Sequence, residues 1–215
     1  MEIDARRQAW RRQGFVLGAE GSGVEIWAHR DPGYSKRTWE NAQCEVTAAI
    51  AADYSTGGER LTKDMARDRY LPLPLFLDED VAGERLGRFM ATKSARALNI
   101  AGNGIHTLGK KHWSQDAVDL WLAKCLDSAL RIHRPEWIQS GGQTGLDFSG
   151  AICARHFGLP ALILLPAGFK QRGADGVDRS KDPVALLADI EMRAAALPCH
   201  GPSSTGSSSA GSKPS

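Results

Sequence analysis

The sequence predicts an α/β fold, Rossmann-like, with a mainly parallel sheet and helices on both faces. Three observations predict it. Strand-like and helix-like segments alternate along most of the 215 residues. Two of the strand segments, 46–54 and 161–165, are apolar runs suited to burial in a sheet covered on both sides. Glycine-bearing loops directly follow four of the proposed strands: Ser55-Thr56-Gly57-Gly58, Gly102-Asn103-Gly104, Gly141-Gly142 and Pro166-Ala167-Gly168. In a parallel sheet these loops share the carboxyl edge, where ligands of such folds bind, and together they can line one cleft.

In chain order, residues 1–23 read as a basic N-terminal extension, in which Arg6, Arg7, Arg11 and Arg12 are a solvated helix face or a nucleic-acid arm. A single domain then spans 24–199. Val24–Ala28 is its first strand, followed by a polar loop through Lys36. Val46–Tyr54 is a central strand, and a helix runs from Glu59 to Arg69. Tyr70–Leu77 is extended, with Pro72 and Pro74 placing it at a sheet edge. A helix over Glu79–Ala95 leads to a strand over Ala97–Ala101. Ser114 caps a long helix reaching about His133, on which Val118, Trp121, Leu122, Cys125, Leu126 and Ala129 recur at helical spacing. Trp137-Ile138 enters the next glycine turn, and a helical pattern covers Phe148–Phe157. Ala161–Leu165 is a buried strand and Val184–Leu197 a closing helix. Residues 200–215, rich in Ser, Gly and Pro, are expected to be disordered.

Length and composition suit one soluble domain: 42% of residues are hydrophobic and 24% charged. A net charge of +2 gives little support to nucleic acid as a partner. Cys44, Cys125, Cys153 and Cys199 are scattered without metal-ligand spacing, and the six histidines show no metal pattern either. No apolar run reaches membrane-spanning length, so a cytoplasmic protein without a membrane partner is expected.

The strongest candidate site is Ser140-Gly141-Gly142-Gln143-Thr144-Gly145-Leu146-Asp147. A strand, a glycine turn and a helix start form the local architecture that presents backbone N–H groups to phosphate. Its spacing is neither the dinucleotide fingerprint nor a Walker loop, and packing alone also accounts for such a turn. Asp147 suits a ribose hydroxyl, a metal or the helix dipole. Gly57 and Gly58 open a second helix, on which Glu59 and Asp64 are acid–base candidates as well as ordinary first-turn acids. Arg37, with Thr38 and Asn41, suits phosphate or a surface ion pair. Asn99 and Asn103 flank a strand end. Lys170 and Arg172 sit in a glycine-rich loop that reads as a mobile basic flap or as solvated chain.

Together these segments resemble the molybdenum-cofactor carrier family of the LOG/DprA-like Rossmannoid superfamily. Its Ser-Gly-Gly-Gln-Thr-Gly-x-Asp segment is matched by Ser140 to Asp147, and its Arg-Thr-x-x-Asn segment by Arg37, Thr38 and Asn41. Gly57, Gly58, Leu61 and Thr62 match a Gly-Gly-x-x-Leu-Thr turn. Asn99, Ala101 and Gly102 match a strand end, and Pro166 and Gly168 a Pro-x-Gly loop. The resemblance covers about 24–176, but its leading motif comes last here, as in a circular permutation joined through the Ser114–His133 helix. It implies a carrier or sensor, expected as a homo-oligomer, for a phosphorylated nucleotide-like or molybdopterin-type ligand, with the molybdenum cofactor or a nucleotide as candidate cofactor. The superfamily also implies two alternatives. One is N-glycosidic hydrolysis of a nucleoside monophosphate, whose Pro-Gly-Gly-x-Gly-Thr-x-x-Glu signature is matched only in part over Gly57–Asp64. The other is DNA binding.

Overall fold

The computed structural model describes residues 2–198; Cys199 and the tail expected to be disordered over 200–215 lie outside the described residues. In chain order the elements are α1 (Ile3–Arg12), β1 (Val16–Gly21), β2 (Val24–Ala28), α2 (Tyr34–Asn41), β3 (Val46–Ala51), α3 (Gly57–Ala66), a 3-10 turn (Arg67–Arg69) and β4 (Tyr70–Pro74). They continue with α4 (Glu79–Lys93), β5 (Ala97–Gly102), α5 (Ile105–Gly109), α6 (Gln115–Leu130), β6 (Trp137–Ser140), α7 (Leu146–His156), β7 (Ala161–Leu165), β8 (Lys170–Arg172), β9 (Asp178–Ser180) and α8 (Pro183–Ala196).

Seven strands form one sheet in the order β1-β2-β7-β6-β5-β3-β4. All neighbouring pairs are parallel except the β1–β2 edge hairpin. Alternation along the strands divides the core. Leu98, Ile100 and Ile138 face a large cluster with α4, α6, α7 and α8. Ala97, Trp137 and Leu162 face a smaller one with Trp10 of α1. The same small-cluster face also carries a polar row, because Asn99 is in register with Thr47 on one side and Gln139 on the other. Local chemistry starts the helices as the sequence implies: Ser114 accepts from the Ala117 N–H, and Asp182 caps α8 ahead of Pro183.

The chain leaves β3 toward β4 on one side and leaves β5 toward β6 on the other. The adjacent carboxyl ends of β3 and β5 therefore feed connections that diverge, which opens a crevice between them.

Four expectations are corrected. Residues 1–23 are no mere extension: β1 completes the sheet edge, and α1 buries Trp10. Arg6 is not solvated; it is buried and ion-paired with Glu40 at 3.4 Å. The polar loop after β2 contains α2, whose buried face is polar, made of Arg37, Glu40 and Asn41. The segment with Lys170 and Arg172 is a β8–β9 hairpin, latched to the β6–α7 turn. Gln143 Nε2 donates to the Lys170 carbonyl at 2.7 Å, Gln171 Nε2 donates to the Gly142 carbonyl at 2.6 Å, and Thr144 donates to the Arg172 carbonyl. α5 was not expected at all.

Candidate anion pocket at the sheet switch point

A cavity of about 460 Å³ sits over the carboxyl ends of β3, β5 and β6, within the size range of small-molecule sites. From α2 come Arg37, Thr38 and Asn41; from α3, Gly57, Gly58, Glu59 and Thr62. β5 and its loop contribute Asn99, Gly102 and Asn103, and the β6–α7 turn contributes Gly141, Gln143, Thr144 and Asp147. Arg172 reaches the rim from β8. Three of the four glycine loops therefore converge. The fourth, 166–168, does not line the pocket, and neither do Ser140, Gly142, Gly145 and Lys170. Asp64 is a correction too, because it lies on the exposed side of α3 away from the cavity.

The two glycine turns exchange the weight the sequence assigns them. In the β6–α7 turn the backbone donors are largely consumed inside the protein. Gly145 N–H donates to Gln115 Oε1 at 2.7 Å, Leu146 N–H to the Asn103 carbonyl at 3.2 Å, and Phe148 N–H to the Gln143 carbonyl at 2.8 Å. Gly142 and Gly145 have φ of 66° and 93°, where other residues are strained. At Gly141 a Cβ would strike the Arg37 guanidinium and the Asp147 carboxylate. This turn packs closely around one ion pair, and of its donors the Gly141 and Thr144 N–H groups have no acceptor among the described residues.

The α3 turn is the reverse. Thr56 caps it by accepting from the Glu59 N–H at 3.3 Å. No acceptor for the Gly57 or Gly58 N–H is found among the described residues. A Cβ on either glycine would meet nothing within 4 Å, and neither has positive φ. Neither turn geometry nor packing requires glycine here. What glycine provides is bare backbone with free donors at a helix N-terminus, the arrangement that favours an anion.

Arg37 Nη1 donates to the Gly141 carbonyl at 2.7 Å and meets Asp147 Oδ2 at 3.3 Å. Asp147 Oδ1 accepts from the Gly102 N–H at 3.2 Å. Burial pushes the Asp147 carboxyl up, opposed by Arg37 and by the Gly102 and Gln143 N–H groups. Asn103 Oδ1 accepts from the N–H groups of Ala52 and Asp53, which ties the β3 loop to the β5 loop. Its Nδ2 donates to Glu59 Oε1 at 3.4 Å. Thr56 and Glu59 have the spacing of a capping box, yet Glu59 turns inward to Asn103. Burial, then the nearby charges of Asp147 and Asp53, push the Glu59 carboxyl up to about 8.

Three side chains on this wall that are more than nine-tenths buried each keep one unpartnered polar atom: Arg37 Nε, Glu59 Oε2 and Asn99 Oδ1, on residues 6%, 4% and 1% exposed. Orphaned polar atoms are uncommon in protein interiors, and these three are gathered around one cavity. Tyr34, unforeseen from sequence, lies between the guanidinium groups of Arg37 and Arg172, at 5.3 and 5.4 Å from its ring centroid. Its only signal was proximity to Arg37 in the chain. His106, also unforeseen, pins the hairpin by a 2.9 Å contact with the Ala174 carbonyl. No group of metal-ligating side chains is present among the described residues, and no helix among them is long and apolar enough to cross a membrane.

Comparison with protein-family models, with curated proteins and with solved structures found no match.

Proposed function

We propose that this chain is a carrier or sensor that binds a phosphorylated, nucleotide-like or molybdopterin-type small molecule in the switch-point pocket. The α3 turn carries the reading. Two free backbone donors and two uncrowded glycines face a cavity whose remaining wall holds three unpartnered polar atoms. The phosphoryl group sits at Gly57 and Gly58, and the remainder of the ligand lies over Asn99 toward Arg37. Residues of four of the five separated segments that resemble the molybdenum-cofactor carrier family line this cavity, which supports placing the chain in that family with its motif order permuted. Native mass spectrometry of the purified protein should reveal a retained phosphate-bearing molecule. Absence of any stabilisation across a thermal-shift panel of nucleotides and molybdopterin would refute the proposal.

One observation favours N-glycosidic hydrolysis as a second reading. Glu59 is a buried carboxyl held protonated near neutrality on the pocket wall, the state a general acid needs to protonate a departing base. On this reading a nucleoside monophosphate releases free base, the release is lost in Glu59→Gln, and it persists in Asp64→Asn. No turnover across the common nucleoside monophosphates would remove it.

A further inference from the structure

The sign of the charge around Glu59 is at odds with an anion site. Glu59 is the third residue of α3, in the same first turn as the free N–H groups of Gly57 and Gly58. The charges that act on it are both negative: Asp147 at the start of α7 and Asp53 in the loop after β3. Tyr54 in that same loop and Tyr70 on β4 also face it, both raised well above the usual phenol range and neutral through pH 9. Arg37 is already engaged by Asp147 and the Gly141 carbonyl. An ionised Glu59, itself buried, would add a third negative neighbour to a bound phosphoryl group and repel it more strongly than an exposed carboxylate would. A neutral Glu59 is a different object. Its Oε1 accepts from Asn103 Nδ2, and its hydroxyl on Oε2, which has no partner in the protein, is a donor waiting for an acceptor.

We propose that Glu59 determines which ligands this pocket accepts and when: as a neutral acid it donates from Oε2 to an anionic oxygen held at the α3 N-terminus, and as a carboxylate it excludes that oxygen. The proposal rests on the anion-binding reading above. It assigns the site an acidic-proton donor beside two backbone donors, a set that selects acceptor-only groups such as phosphoryl oxygens. Ligands presenting a hydroxyl or an amine at this point gain less. Binding is then linked to the Glu59 proton: the complex holds it, and the free site releases it at alkaline pH.

The test uses ribose 5-phosphate and inorganic phosphate as probes, titrated calorimetrically against the full chain between pH 7 and 9.5. Above pH 7.5 the monoester of ribose 5-phosphate is already dianionic, its second pKa being about 6, so its further pH dependence belongs to the protein; inorganic phosphate, whose second proton leaves nearer neutrality, is read only as the difference between wild type and variant. The wild type should hold a constant affinity to about pH 8 and then weaken by about tenfold per pH unit. In Glu59→Gln that break should vanish, whatever the absolute affinity. In Asp53→Asn, which removes one of the charges that raise Glu59, the break should move to lower pH. A wild type that binds without a break, or a break shared unchanged by Glu59→Gln and Asp53→Asn, overturns the proposal and leaves the anion site standing. No binding of either probe at any pH overturns both.

Discussion

Replacing Glu59 by glutamine measures the buried carboxyl without any ligand. In the unfolded chain this group ionises near 4.5, and in the folded chain near 8. Below 4.5 both states hold the proton, so the residue contributes no pH dependence. Between 4.5 and about 8 the unfolded chain has released its proton while the folded chain keeps it, and raising the pH therefore favours unfolding. A gap of about 3.5 pH units at 1.36 kcal/mol per unit corresponds to about 3 kcal/mol of lost stability at pH 7 and about 5 above pH 8. Glutamine has no proton to lose and escapes this cost. Urea denaturation of both proteins from pH 4.5 to 9 should show nearly equal stabilities at the acid end and a lead for Glu59→Gln that grows through neutrality, levelling off above pH 8. Parallel stability curves would mean that Glu59 ionises as an ordinary surface acid, and the account of its burial would be wrong.

Further substitutions probe other parts of the structure. Gly58→Ala places a methyl in open space at negative φ, so stability should stay level or rise by about 0.4–1 kcal/mol in chemical denaturation, while phosphate affinity falls. Gly141→Ala has no such space and should destabilise by more than 1 kcal/mol, since the Arg37–Asp147 pair occupies the site. Arg37→Ala leaves Asp147 buried and unpaired and should cost about 3–5 kcal/mol; if Arg37→Ala/Asp147→Asn loses as much as the single variant, the ion pair is not the cause. Trp10→Ala should cost about 3–5 kcal/mol, because its ring is buried and its Nε1 donates to Glu40 at 3.2 Å; a negligible loss would make α1 the dispensable extension that composition suggests.

Much of the architecture was legible because its signals are local. The strands at 46–51, 97–102 and 161–165, the Ser114 cap and the edge position of the proline-bearing β4 all follow from short-range pattern. α2 was not legible, because its buried face is Arg37, Glu40 and Asn41, polar residues whose partners come from distant segments. β1 carries two glycines and a glutamate and lacks a clean apolar alternation. Its one signal was Ser22-Gly23, both at positive φ, a residue pair suited to a two-residue hairpin turn.

By itself the sequence determined the α/β class, the identity of the glycine turns and the gathering of most candidate residues at one sheet edge. Only the tertiary structure decided which of their N–H groups are engaged. A glycine turn reads the same in sequence whether its N–H groups are free or taken. At 141–145 they are partly taken, the Gly145 N–H by Gln115 and the Gly142 N–H by the Ser140 hydroxyl; at 57–58 both are free and face a cavity. Glu59 and Asp64 are likewise both acids in the first two turns of one helix. Because helical residues five apart point to different faces, one is buried on the pocket wall and the other meets water.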